Sequence, residues 1–330
     1  MHRIIFIVFL IVVCNVPAQA QNASFHAGFL RMTVSYEQPF PMAVWYPTHA
    51  TEKPWKAGHY RIEATPNAPM AAGPFPILLL SHGSGGSEFG HHDWAEFLAR
   101  HGFIVVAPRH LGDSFDQPEG RGSDIQLIGR LWQVTKALDA VLADHRFATA
   151  IDVRRIGMIG FSAGGYTTLA SIGARPNFNL WEAHCKEHPD DKEFCPTLLA
   201  SLFSSRPRIT RPDWKMPHET RIKAAVVMAP VAILYDAADL SDVTVPLRVY
   251  RAADDHRVRN AWNADIVIAG LPVSPEQMTV PGDHYIFLAP PFGTPTPKMQ
   301  ALFEDNPGVD RVAIHKQIAK ELVDYFNRTL

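Results

Sequence analysis

The chain has 330 residues, a formal charge of −2 at pH 7 and a 47% apolar fraction. That is enough apolar side chain for one sizeable core, and the near-neutral balance leaves no basic surplus for a nucleic-acid partner. A soluble globular enzyme is the class these numbers leave standing.

Residues 1–20 read separately from the rest. His2 and Arg3 make a short positive start, Ile4 to Val13 an apolar run, and Ala18-Gln19-Ala20 a small-x-small cleavage site. The run is far shorter than the ~20 residues that cross a bilayer, so no stable membrane span is expected. Cleavage after Ala20 and export, to periplasm or medium, are predicted. A lipoprotein at Cys14 is disfavoured, because Val13 stands where a small residue is expected, and an uncleaved anchor is the remaining alternative. Cys14 leaves with the signal, and Cys185 and Cys195 remain. In an oxidising compartment they are expected to form a disulfide. With His184 and His188 nearby they match no standard zinc spacing, so no metal is expected.

After the signal, residues 32–36, 42–47 and 60–64 read as short strands opening a mixed sheet. Phe75 to Ser81 is continuously apolar, the pattern of a central strand covered on both faces, and it ends in His82-Gly83-Ser84-Gly85-Gly86. A helix over 94–102 and a buried strand over 103–108 follow. Asp124 is expected to N-cap a long helix whose apolar side carries Ile125, Ile128, Trp132, Leu138, Val141 and Leu142. Strand and helix in this alternation imply a parallel sheet with right-handed crossovers.

The stretch Arg155 to Gly165 then runs an apolar strand into Gly160-Phe161-Ser162-Ala163-Gly164 and on into a helix. That order is the nucleophile elbow of an α/β-hydrolase. A tight strand-to-helix turn leaves little room two residues either side of the serine, which Gly160 and Gly164 satisfy. Ser162 is the expected nucleophile. Acyl transfer also needs two donors at the developing oxyanion: the backbone amide of Ala163 and one from the glycine-rich loop, for which Ser84 is the choice. No Gly-Lys-Ser/Thr follows that loop, which argues against a phosphate cradle. His82 is expected to shape the loop rather than act as base.

Residues 174–220 break the alternation with prolines, clustered charges and the two cysteines. An insertion between the elbow helix and the next strand is expected to form a lid or cap; a surface excursion with its own small core is the blander alternative. Strands over 222–230 and 245–253, a helix of about a dozen residues including Ala261 and Val267, a strand from Met278, and a final helix over 309–326 complete the chain.

Serine needs a base, and the base an orienter. In hydrolases of this fold the chain order is serine, acid, histidine. Asp254, Asp255 and His284 stand in those places. Asp255 is favoured as the acid, because Val258 completes an Asp-x-x-Val arrangement, with Asp254 as the alternative. His284 is favoured as base over His315, which falls mid-helix, and His256, which is too close to the acid in sequence. The chemistry calls for no cofactor.

The segments Leu80 to Gly86, Gly160 to Tyr166, Ala183-His184-Cys185 with His188-Pro189-Asp190-Asp191, and Gly282 to Leu288 together resemble an exported bacterial family of predicted dienelactone hydrolases, related to platelet-activating-factor acetylhydrolases. The resemblance covers nearly all of the mature chain. It implies an α/β-hydrolase fold and hydrolysis of a small-molecule carboxylic ester, short-chain or phospholipid-like, with Ser162, Asp255 and His284 at the matching positions. True dienelactone hydrolases carry a cysteine nucleophile; here the elbow holds serine, so dienelactone is not carried over as substrate. An amidase or peptidase on the same fold, and a binding protein that retains the fold without catalysis, are the competing readings.

Overall fold

A computed structural model describes residues 25–195 and 208–330. The signal-like segment therefore lies outside the described residues, as does the middle of the expected lid. Among the described residues, no helix is long and apolar enough to cross a membrane.

Eleven strands form among the described residues, in chain order: β1 (His26–Val34), β2 (Phe40–Thr48), β3 (Trp55–Ala57), β4 (Tyr60–Ile62), β5 (Thr65–Pro66), β6 (Phe75–Ser81), β7 (Ile104–Pro108), β8 (Ile151–Phe161), β9 (Ala224–Met228), β10 (Leu247–Ala252) and β11 (Glu276–Val280). Nine of them make one sheet in the order β11-β10-β9-β8-β6-β7-β2-β1-β5, and β3 pairs with β4 as a separate hairpin. From β7 to β11 the sheet is parallel. The β1–β2 and β2–β7 pairs are antiparallel, which is the mixed opening the sequence predicts.

Among the described residues the α-helices are α1 (His92–Arg100), α2 (Arg130–Ala143), α3 (Ala163–Ser171), α4 (Phe178–Glu187), α5 (Ala264–Gly270), α6 (Pro297–Phe303) and α7 (Arg311–Thr329). Two cores sandwich the sheet, and the alternation of β6 shows why. Ile77 and Leu79 point into a core shared with Leu131, Val134 and Leu138 of α2 and Leu169 of α3. Leu78 and Leu80 point into the opposite core with Trp94 and Leu98 of α1 and Ile318, Leu322 and Phe326 of α7. A strand apolar on both faces is stable only between two such layers. Asp310 caps α7 by accepting the Ala313 amide at 2.9 Å, a contact worth about 1 kcal/mol.

The start of the long helix differs from the expectation. Asp124 has helical dihedrals and makes no cap. Its carboxylate instead accepts the Thr210 amide at 2.8 Å and the Arg211 amide at 2.6 Å, tying down the far end of the insertion. A π-helical turn covers Ile125–Gly129, and the α-helix proper begins at Arg130. Ile125 is accordingly exposed, and the buried stripe runs through Leu127, Leu131, Val134, Leu138 and Val141. The expected helix around Ala261 is likewise divided, into a 3-10 turn (Asn260–Trp262) and α5.

Candidate active site

All the elements that carry chemistry end on one edge, where the parallel strands stop. β8 ends at Phe161 and turns into α3 through Ser162, the strand-to-helix elbow. A Cβ on Gly160 would lie 2.1 Å from the Gly164 carbonyl oxygen, and one on Gly164 would lie 1.9 Å from that of Ser81. Only glycine fits either position. Ser162 has φ 55° and ψ −118°, a conformation that costs on the order of 1–3 kcal/mol for a residue with a side chain. The surroundings hold it there. Its amide donates to Met228 at 2.9 Å, and its carbonyl accepts from Gly165 at 2.8 Å and Val231 at 3.1 Å.

β10 and β11 supply the partners. Their register pairs Ala252 with Val280, so the two loops that follow run side by side. Asp255 follows β10; its Oδ1 accepts the amides of Val258 at 2.7 Å and Arg257 at 3.1 Å. His284 opens a 3-10 turn (His284–Phe287) after β11, with its amide donated to Asp283 Oδ1 at 2.7 Å. The same Asp283 oxygen accepts the His256 amide at 3.0 Å, joining the two loops.

The structure brings three of the sequence-derived residues into one relay. His284 Nε2 lies 3.0 Å from Ser162 Oγ, and His284 Nδ1 lies 2.8 Å from Asp255 Oδ2. All three are buried, with exposures of 7%, 3% and 6% for Ser162, His284 and Asp255. Asp254 is outside the relay: it is exposed, 3.3 Å from the Asn306 amide group. His256 is exposed as well. His315, on α7, bonds to Asp93 at 2.6 Å and the Ile286 carbonyl at 2.8 Å, supporting the turn that carries His284.

The glycine-rich loop passes beside Ser162, since a Cβ on Gly83 would lie 3.3 Å from Ser162 Cβ. Ala163 is the first residue of α3, so its amide is one of the helix's donors without an intrahelical acceptor. Ser84 is exposed at the loop's tip and donates its hydroxyl to Asp113 Oδ1 at 2.5 Å. His82 is buried; its Nδ1 donates to the Gly83 carbonyl at 2.7 Å, and its Nε2 accepts the His110 amide at 3.1 Å. Burial, reinforced by the Arg130 charge, pushes the His82 imidazole down to about 3. It is a neutral loop-shaping group.

Residues 63–179 match the family model described as chlorophyllase. That stretch takes in the glycine-rich loop and the elbow but not Asp255 or His284. Among solved structures, a ferulic acid esterase from Streptomyces cinnamoneus superposes with a TM-score of 0.61 at 16% identity, over 94% of this chain and 92% of that one. The chain has the α/β-hydrolase fold. No curated protein matches it at a significant level.

Within this fold the segment after α3 packs against the loop that follows Asp255. Cys185 and Cys195 are disulfide-bonded, closing a loop that holds Asp190 and Glu193. Those carboxylates pair with Arg259 at 3.0 Å and with Arg257, which both follow Asp255. His188 stacks on Trp262 with ring centroids 4.3 Å apart. A cleft of about 430 Å³ lies between this loop and the His256–Arg259 segment, with Asp283 in its wall.

The group that sequence reasoning missed is a buried polar cluster behind the glycine-rich loop: Arg130, Asp113, Thr167 and His110. Arg130 did carry a signal. It stands among Leu127, Leu131 and Val134 at helical spacing, so a charge falls on the apolar stripe, where an uncompensated cation is not tolerated.

Proposed function

We propose that the protein is a serine carboxylic-ester hydrolase working through an acyl-enzyme. The observation that carries this reading is the continuous relay from Ser162 Oγ through His284 to Asp255, at 3.0 and 2.8 Å. Ser162 attacks the ester carbonyl while His284 takes its proton; Asp255 holds the imidazole in the required tautomer and steadies the imidazolium. The amides of Ala163 and Ser84 receive the oxyanion. His284 then returns the proton to the leaving alcohol, and a water activated by the same histidine releases the acid.

Short-chain or phospholipid-like esters are the proposed substrates, following the resemblance to the exported predicted dienelactone-hydrolase family. An esterase among the structures that share the fold agrees with an ester as the class. Export is part of the proposal, supported by the cleavable N-terminal pattern and by a disulfide that suits an oxidising compartment. The segment around the disulfide is proposed as the rim of a lid, supported by its ion pairs to the acid loop. Incubation with a fluorophosphonate and p-nitrophenyl acetate tests the central claim. An adduct on Ser162, turnover, and loss of both in Ser162→Ala are expected; turnover surviving in Ser162→Ala would end it. A substrate panel of increasing acyl length then tests the substrate class.

A further inference from the structure

Behind the glycine-rich loop sits a buried ion pair that the proton relay does not use. The side chains of Arg130 and Asp113 are both 0% exposed. One guanidinium reaches three separate pieces of chain. Nη1 donates to Asp113 Oδ2 at 2.5 Å, Nε to Thr167 Oγ1 on the elbow helix at 3.0 Å, and Nη2 to Ser81 Oγ at 3.2 Å and to the His82 carbonyl. Asp113 takes the other end of the same loop. It accepts the Ser84 hydroxyl at 2.5 Å and the Gly85 amide at 3.3 Å, with Gln126 at 2.7 Å and Arg121 at 3.3 Å closing its remaining positions. Thr167 in turn donates to the Ala163 carbonyl at 2.9 Å, linking the cluster to the first residue of α3.

A buried ion pair gives little stability over an apolar pair of the same volume, so core packing alone does not call for one here. Directional bonds do. Arg130 fixes the His82 carbonyl, and Asp113 fixes the Ser84 hydroxyl and the Gly85 amide, so the pair clamps both sides of the peptide that carries the Ser84 amide, whose Gly83 carbonyl is itself held by His82 Nδ1 at 2.7 Å and the Gly86 amide at 3.0 Å. The local backbone is arranged for this. A π-turn, a feature frequent at functional sites, immediately precedes Arg130, and the Tyr166 hydroxyl satisfies the Leu127 carbonyl inside it at 2.9 Å. His82 and His110 flank the guanidinium and stay neutral, through burial and then through its charge.

We propose that Arg130 and Asp113 are a positioning pair for the oxyanion site, holding the Ser84 amide where it and the Ala163 amide meet one oxygen. The proposal rests on the reading of Ser162 as nucleophile. It adds that the precision of the site comes from charges that never touch substrate.

The test compares wild type with Arg130→Gln, Asp113→Asn, the double variant and Arg130→Lys. Active sites are counted by exhaustive fluorophosphonate labelling, and p-nitrophenyl acetate turnover is expressed per labelled site. Loss of one oxyanion donor lowers kcat roughly 100-fold or more, and Arg130→Gln is expected to approach that, with KM changed less than about threefold. Affinity for a trifluoromethyl ketone, which forms a tetrahedral adduct, falls by the same factor, and Arg130→Lys recovers part of both. A purely structural role would reduce the labelled fraction and the melting temperature while leaving kcat per labelled site at the wild-type value; that result overturns the proposal. If Arg130→Gln does not fold, the double variant, neutral at both positions, is judged by the same criterion. Wild-type protein that neither labels nor turns over ester overturns the parent reading and the pair with it, an outcome distinct from an active wild type with unaffected variants.

Discussion

Asp255 Oδ2 lies 2.8 Å from His284 Nδ1, while its chain neighbour Asp254 faces solvent 3.3 Å from the Asn306 amide group. Two consecutive carboxylates on one loop therefore have different environments, and the difference makes a clean comparison. Replacing Asp255 with Asn removes the acceptor that fixes the imidazole tautomer, for which a fall in kcat of about 10³- to 10⁴-fold is expected. Asp254→Asn should stay within about twofold, as for an exposed side chain away from the reacting atoms. Ester turnover by both variants, with melting temperatures as a check on folding, decides the assignment of the acid.

Acid should destabilise the fold through its buried histidines. Burial holds His82 down at about 3 and His91 at about 4, and places His110 well below the ordinary 6.5. Each is harder to protonate folded than unfolded, so between pH 6.5 and those folded values the unfolded chain binds more protons. Their contribution is fully present above pH 6.5 and drains away as the pH falls toward 4 and then 3, at up to about 1.4 kcal/mol per pH unit for each. His92 works in the opposite direction: burial lowers its pKa, but the hydrogen bond and charge of Glu96 outweigh that and raise it. A net loss on the order of 1 kcal/mol per pH unit below 6 is the expectation, measured by urea unfolding at pH 7, 5.5 and 4.5. A flat profile would mean that these imidazoles are not buried neutral.

The elbow should reject even one methyl group. Gly164→Ala places a Cβ 1.9 Å from the Ser81 carbonyl oxygen, a backbone atom that cannot move without displacing β6 and the loop after it. Overpacking of this kind costs about 1–3 kcal/mol, and here it also shifts Ser162 relative to His284. Gly90→Ala is the control, because its new Cβ meets only the Ser87 carbonyl at an ordinary 3.5 Å. Calorimetry and ester turnover should both separate the two variants.

The Cys185–Cys195 bond closes a short loop, for which a chain-entropy estimate gives about 2–3 kcal/mol. A chain beginning after Ala20 should show no alkylatable thiol by intact mass until it is reduced, and two afterwards. The Cys185→Ser/Cys195→Ser variant should unfold earlier, and limited proteolysis should cut first between positions 185 and 195. Because Asp190 and Glu193 in that loop pair with Arg259 and Arg257, which follow Asp255, ester turnover is also expected to drop.

Much of this molecule was legible in its chain order alone. A strand apolar on both faces, a serine between glycines two residues away on either side, and an acid and a histidine after the next strands are local patterns. Each follows from sterics or from burial that a short window of residues reports. The sequence also favoured Asp255 over Asp254, through Val258, whose amide does donate to Asp255 Oδ1 at 2.7 Å.

What the windows could not report was which polar groups meet far along the chain. Asp124 has the composition of a helix cap, yet its carboxylate serves Thr210 and Arg211, partners more than 80 residues away that no local pattern names. Around the π-turn at Ile125–Gly129, Ile125 is exposed and Trp132 only half-buried, whereas Leu127 and Leu131 are buried and Ile128, Leu138 and Val141 stay on the buried stripe as the periodicity predicts. Arg130 was passed over in the sequence, and only the fold sets Asp113, Ser81, His82 and Thr167 around it. A sequence determines which residues want burial and which turns are sterically possible. Only the closed tertiary structure decides which charge a buried guanidinium will find, since that choice depends on several strands and loops arriving at one point together.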